Sequence, residues 1–136
     1  MLQTPKYGWT NITIGDWTDR CSDISGDVPY LLLEAVDYTN RTHRPSSVSL
    51  DAEGWEYVIV FHNYEAHIIT NDINGEWQYH TVEIPITRLI RDLLADIRKD
   101  LNAWSEWGIE KCEDDMEIEE RQKDLRVWCD VIERRL

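Results

Sequence analysis

Four carboxylates and one thiol crowd into GDWTDRCSDISGD, residues 15–27: Asp16, Asp19, Asp23, Asp27 and Cys21. Carboxylates this dense can hold a hard cation. A calcium loop, however, needs oxygen donors at alternate positions with Gly at the sixth and Glu at the twelfth, and that pattern is absent. A glycosidase needs one carboxyl kept protonated beside one ionised, and nothing here marks such a pair. Cys21 sits among aspartates, whose charge raises a thiol's pKa and blunts it as a nucleophile. The other chemistry-bearing group is His62, Glu65 and His67 around one turn, with His80 on the following strand. A metal site needs three or four ligands to converge. Strand pairing brings His62 toward His67 but forces no third ligand, so these read as strand histidines. No G-x-S-x-G, P-loop or G-x-G-x-x-G is present. The expectation is a chain with no catalytic residue, no metal and no cofactor.

The charge balance points to partners instead. The 136 residues carry a formal charge of −13. Residues 1–80 hold 12 acidic and 4 basic side chains, and residues 81–136 hold 15 and 10, so the acid is not a tail. A field of that sign repels nucleic acid and anionic membrane and attracts basic proteins. Arg88, Arg91, Arg98 and Lys99 alternate with acids and read as a salt-bridged helix face, not a nucleic-acid patch. Seven Trp and six Tyr exclude an acidic disordered chain. The length fits one domain, residues 1–136. Three cysteines, Cys21, Cys112 and Cys129, form no metal-ligand spacing. The N-terminal stretch lacks a basic region followed by an apolar one, and no run reaches the roughly 18 apolar residues of a membrane span. A reduced, cytoplasmic, monomeric protein is expected.

Three places combine acid with large side chains. Trp17 and Arg20 lie among Asp16, Asp19 and Asp23, and Trp and Arg are the residues enriched at interface hot spots. The mixture recurs in Asp51-Ala52-Glu53-Gly54-Trp55-Glu56. The third is KCEDDMEIEE, residues 111–120, with Asp114, Asp115 and Glu117 at the start of a helix whose far end carries Arg134 and Arg135. Acids near a helix N-terminus each contribute about 0.3–1 kcal/mol, which accounts for part of that cluster and leaves the rest for partner contact.

The elements that must position these groups follow from periodicity. Trp9–Ile14 alternates as a first strand. Residues 15–27 read as a loop by composition. Asp27 caps a helix to about Arg41, with Pro29 in its first turn and Val28, Leu31, Leu32, Ala35 and Val36 on one face. Four strands follow over Ser47–Ala52, Glu56–His62, Ala66–Thr70 and Glu76–Val82, the second covered on both faces or nearly so, with a strong turn at Asn74-Gly75. One helix runs from Pro85 to about Trp107, its outer face carrying Asp92, Asp96 and Asp100, and a last helix spans Asp114–Arg135. The order β–α–β–β–β–β–α–α predicts an α+β fold: an antiparallel β-meander of about 4–5 strands, one helix after the first strand, and two C-terminal helices packed on the sheet.

WTNITIGDWTDRCSDISGDVPYLLLEAV, then SVSLDAEGWEYVIVF and HIITND, resembles small bacterial immunity proteins of contact-dependent inhibition and related polymorphic toxin systems. The likeness runs over about residues 9–107. It implies binding and neutralising a cognate basic toxin domain, of nuclease type, by blocking its active site or substrate groove. The alternative is an acidic mimic of nucleic acid that inhibits a defence complex, with Asp92, Asp96 and Asp100 beginning a regular array. A small enzyme built on the histidines is third.

Overall fold

The computed structural model describes residues 1–72, 74–108 and 115–136. Its first unit is a hairpin. β1 (Trp9–Ile14) pairs antiparallel with β2 (Trp17–Ser22), and Ile14 faces Trp17 across Gly15-Asp16. Gly15 takes the first central position at φ +60°, which a tight two-residue hairpin turn asks of glycine. A Cβ there would lie 2.6 Å from Val82 Cγ1. Gly15→Ala is expected to cost about 1–2 kcal/mol, read as a lower urea midpoint at unchanged slope.

β2 corrects the loop expected over residues 15–27. Pairing with β1 satisfies the backbone of Trp17–Ser22 and buries Cys21 and Ser22, so tertiary pairing overrides the local composition. Only Asp23–Ser25 departs, as a 3₁₀ turn. α1 (Val28–Thr42) then starts with Asp27 at the N-cap position and Pro29 in its first turn. The Asp27 Oδ2 faces Arg121 at 3.5 Å. Burial pushes the Asp27 carboxyl up, and Arg121 opposes that. Leu33 is fully buried while Leu31 is only half-buried, because α1 has neighbours on more than one side.

β3 (Ser46–Asp51), β4 (Glu56–Phe61), β5 (Glu65–Asn71) and β6 (Trp77–Glu83) form the meander in that order. The fold is α+β as expected, with four strands in this sheet; β1 belongs to the hairpin. Val48, Leu50, Tyr57, Ile59, Phe61, Ala66, Ile68 and Val82 point inward and are buried. α1 lies on β3 and β4. Of the expected cover on both faces of β4, or nearly so, the inner face is complete and the outer partial: Val58 and Val60 alternate outward and are half-buried. They are shielded by strand neighbours while the helices gather behind the sheet.

α2 (Ile86–Lys99) packs on α1. The expected single helix to Trp107 breaks at Asp100, whose backbone (φ −119°, ψ 36°) leaves the helical region before α3 (Leu101–Ser105). The apolar steps from Ile97 to Leu101 to Trp104 keep helical spacing across the break, which hides it in the sequence. The bend seats Trp104 and Trp107 in the core, 5.3 Å apart, with Trp107 Nε1 donating to Gly26 O (2.8 Å).

α4 (Asp115–Arg134) packs against α1, α2 and α3. It is bound to α2 by Arg98, which donates to Asp130 (2.8 Å) and Glu133 (2.9 Å). Just past α4, Arg135 reaches Asp37 of α1. Asp37 is buried, and its Oδ2 accepts from Arg41 Nε (2.9 Å) and Arg135 Nη1 (2.6 Å). Asp115 and Glu117 occupy the first turn of α4 and Arg134 the last, matching the helix dipole. Among the described residues no helix is long and apolar enough to cross a membrane.

Candidate functional site

Two of the three sequence clusters are one cluster in space. Asp19 Oδ2 accepts from the Trp55 indole Nε1 at 2.9 Å, and its Oδ1 accepts from the Arg20 amide at 2.8 Å. The Arg20 guanidinium lies 4.4 Å from the centre of the Trp55 ring and 5.2 Å from that of Trp9, while its Nε donates to Ala52 O at 3.1 Å. Trp17 meets Tyr57 edge-on at 5.3 Å, and Tyr57 Oη donates to Arg20 O at 3.0 Å. A cation over an indole face contributes about 0.5–1 kcal/mol at an exposed site. The hairpin therefore clasps the β3–β4 turn through alternating aromatic and charged groups.

Trp55 forms a wall of two clefts. One, of about 460 Å³, is lined by Ser49, Asp51, Trp55, Val58, Ile69 and Trp77, among others. The second, of about 360 Å³, lies among Trp17, Asp19, Trp55, Thr70, Asp72 and Gln78. At the turn, Asp51 Oδ1 accepts from the Glu53 amide at 2.6 Å, which holds Glu53 at φ +54° with its side chain exposed. Asp51 and Glu56 line the first cleft and add carboxylates to its rim.

The remaining expected residues are elsewhere. Asp16 is exposed at the hairpin turn, 3.2 Å from His80 Nε2; that hydrogen bond first, and the charge of His80 after it, hold its carboxyl below the usual range. Asp23 starts the 3₁₀ turn with its carboxylate against Gly8. Asp115 and Glu117 are exposed on α4, which is held to the helical layers and not to Trp55. Asp114 lies outside the described residues, as does Cys112.

The histidines divide between the two sheet faces. His62 and His67 stack edge-on at 5.0 Å, His67 Nε2 lies 3.1 Å from Glu65, and His67 Nδ1 bonds the Tyr79 hydroxyl. His80 points the other way, toward Asp16. Among the described residues no group of three or more His, Cys, Asp or Glu is placed to hold a metal ion.

Cys21 and Cys129 are both buried, and burial is the first cause that pushes each thiol up to about 11. The aspartates expected to blunt Cys21 contribute only after burial, through Asp51 and Asp19. At pH 8 roughly one molecule in a thousand would carry either thiolate. Both are expected to resist iodoacetamide in the native protein and to react within minutes in guanidinium, as peptide mapping would read.

The sequence reading missed the outward face of the sheet. Trp77 and Tyr79 are 72 % and 64 % exposed, beside half-buried Val58 and Ile69. The signal was available: in Trp77–Glu83 the large aromatics share one parity and the buried Val82 the other. Between Arg44 and Arg88 there is also no Lys or Arg, against seven carboxylates.

The fold and site define an acidic α+β protein whose helices leave one sheet face bare, with a Trp–Arg–carboxylate clasp at its rim. No family model, curated protein or solved structure matches the chain.

Proposed function

We propose that this protein is an immunity protein that binds and neutralises a basic, nuclease-type bacterial toxin domain in the cytoplasm, without chemistry of its own. The observation that carries this reading is the clasp around Trp55: a half-buried indole between two clefts, with Asp19, Asp51 and Glu56 around it. An aromatic anchor ringed by carboxylates suits a groove lined with Lys and Arg. The net charge of −13 would steer encounter, with association toward about 10⁸ M⁻¹s⁻¹ at low salt.

Two other readings fare less well. A mimic of nucleic acid needs regularly displayed carboxylates. Asp96 instead accepts from the backbone nitrogens of Met1 (2.6 Å) and Leu2 (2.9 Å), and Asp100 from Thr4 Oγ1 (2.7 Å). A small enzyme would need His62, His67, Glu65 or His80 to converge in a pocket; the first three meet on the outward sheet face, while His80 turns to the other face toward Asp16.

The test is affinity capture of the tagged protein from its own host with the toxin locus intact. The expected result is one basic domain at near-equal stoichiometry, toxic when expressed alone and silent when co-expressed. Its association rate should fall at least tenfold between about 50 and 500 mM salt. Capture of a nucleic-acid-binding complex, or of nothing, overturns the proposal.

A further inference from the structure

The outward sheet face has an ordered layout. Ser49, Val58, Ile69 and Tyr79 form one cross-strand row, and Ser47, Val60, His67 and Thr81 the next. Trp77, opposite Asn71, extends the apolar surface at one end. Carboxylates close both ends. Asp51 stands directly opposite Glu56 at one, and Glu65 directly opposite Glu83 at the other. Like charges facing each other across a ladder are destabilising. Glu65 has His67 at 3.1 Å, but no Lys or Arg occurs anywhere on these strands or their turns. Asp51 holds its turn through the Glu53 amide, but among the described residues no hydrogen bond or ion pair holds Glu56 or Glu83, the acids set opposite Asp51 and Glu65.

We infer that this face is a docking surface for a partner segment that is apolar in its middle and basic at both ends. The inference rests on the reading above that the partner is a basic protein, and it adds where that partner sits and what it presents. The two acid pairs are six residues apart along β4 and its extension, roughly 20 Å at about 3.3 Å per residue. An extended segment of six or seven residues running along the strands spans that distance, its apolar side chains crossing the row of Val58, Ile69 and Tyr79 and the Val60 row beside it and its terminal arginines meeting the acid pairs. The aromatic rings supply contact area, and the carboxylates supply register and choice of partner. A second copy of this chain would bring the same carboxylates against these, so charge selects a different partner.

The probe is the capped peptide Arg-Arg-Val-Thr-Val-Thr-Val-Arg-Arg, titrated by fluorescence anisotropy against the full chain. One control replaces the arginines by glutamate and another replaces the valines by serine. The arginine–valine peptide is expected to bind at least tenfold more tightly than either. Trp77→Ser, at a ring 72 % exposed, should weaken it at least tenfold with the unfolding midpoint unchanged. Glu83→Lys should weaken the arginine-ended peptide and strengthen the glutamate-ended one. Equal affinity for all three peptides, or indifference to both substitutions, overturns the surface. So does a homodimer in sedimentation that Trp77→Ser dissolves. A toxin captured from the host whose binding ignores Trp77→Ser removes this surface and leaves the immunity reading standing. Selective peptide binding without any captured toxin does the reverse.

Discussion

Replacing Arg41 and Arg135 together by alanine is expected to destabilise the fold by about 3–5 kcal/mol, a large share of the 5–15 kcal/mol typical of a domain. Either substitution alone should cost only about 1 kcal/mol. The difference lies in Asp37. Its side chain is 2 % exposed, whereas the arginines are 46 % and 38 % exposed. Either arginine alone still neutralises Oδ2. Without both, a carboxylate stays buried with no cation, and its Oδ1 has no hydrogen-bond partner among the described residues to compensate. The two substitutions should therefore be strongly non-additive. Adding Asp37→Asn to the double variant is expected to restore most of the loss, because a neutral amide is far cheaper to bury. Urea unfolding of the two single variants, the double and the triple decides it. Losses that simply sum would refute the account.

The second large effect is on binding. If the proposed immunity function holds, Trp55→Ala is expected to weaken the complex with the toxin by about 2–4 kcal/mol, roughly 30- to 1000-fold, chiefly through faster dissociation. Trp55 is half-buried and hydrogen-bonded to Asp19, so its rotamer is held before a partner arrives. That preorganisation is what makes an aromatic side chain an anchor. Truncation also removes the ring under Arg20 and should cost the fold about 2 kcal/mol. Trp55→Phe separates the two effects. It keeps most of the ring area and loses the bond to Asp19, so it should recover most of the stability and only part of the affinity. An interface that tolerates Trp55→Ala within a factor of three does not use this residue.

Much of this architecture is legible in the chain because hydrophobic period and topology agree there. The four meander strands, α1 and α4 stand close to where alternation, turn residues and helical spacing put them. The failures have separate causes. β2 was hidden by Asp19 and by the aspartates and glycines that flank it, although Gly15-Asp16 is itself a hairpin turn and Trp17-Thr18 favours a strand. The break at Asp100 was invisible because the apolar spacing runs through it. For the site, the sequence named Trp17, Asp19, Arg20 and Trp55 but not their union, since Asp19 and Trp55 are 36 residues apart and only the packing of the hairpin on the β3–β4 turn joins them. Trp77 and Tyr79 went unread because which face of a sheet stays bare depends on where every helix goes.

The tie between Asp37 and Arg135 also bears on timing. The two residues are 98 positions apart, so at about 5–20 residues per second the ribosome makes Asp37 roughly 5–20 s before its second cation exists. During that interval α1 can pair Asp37 with Arg41 alone, and α4 has yet to cover it. Asp37 thus gains its second cation only once residue 135 has been made. If the proposed toxin is made in the same cell, the order of synthesis becomes part of protection: for seconds after α1 is made, a nascent copy holds Asp37 by one arginine only.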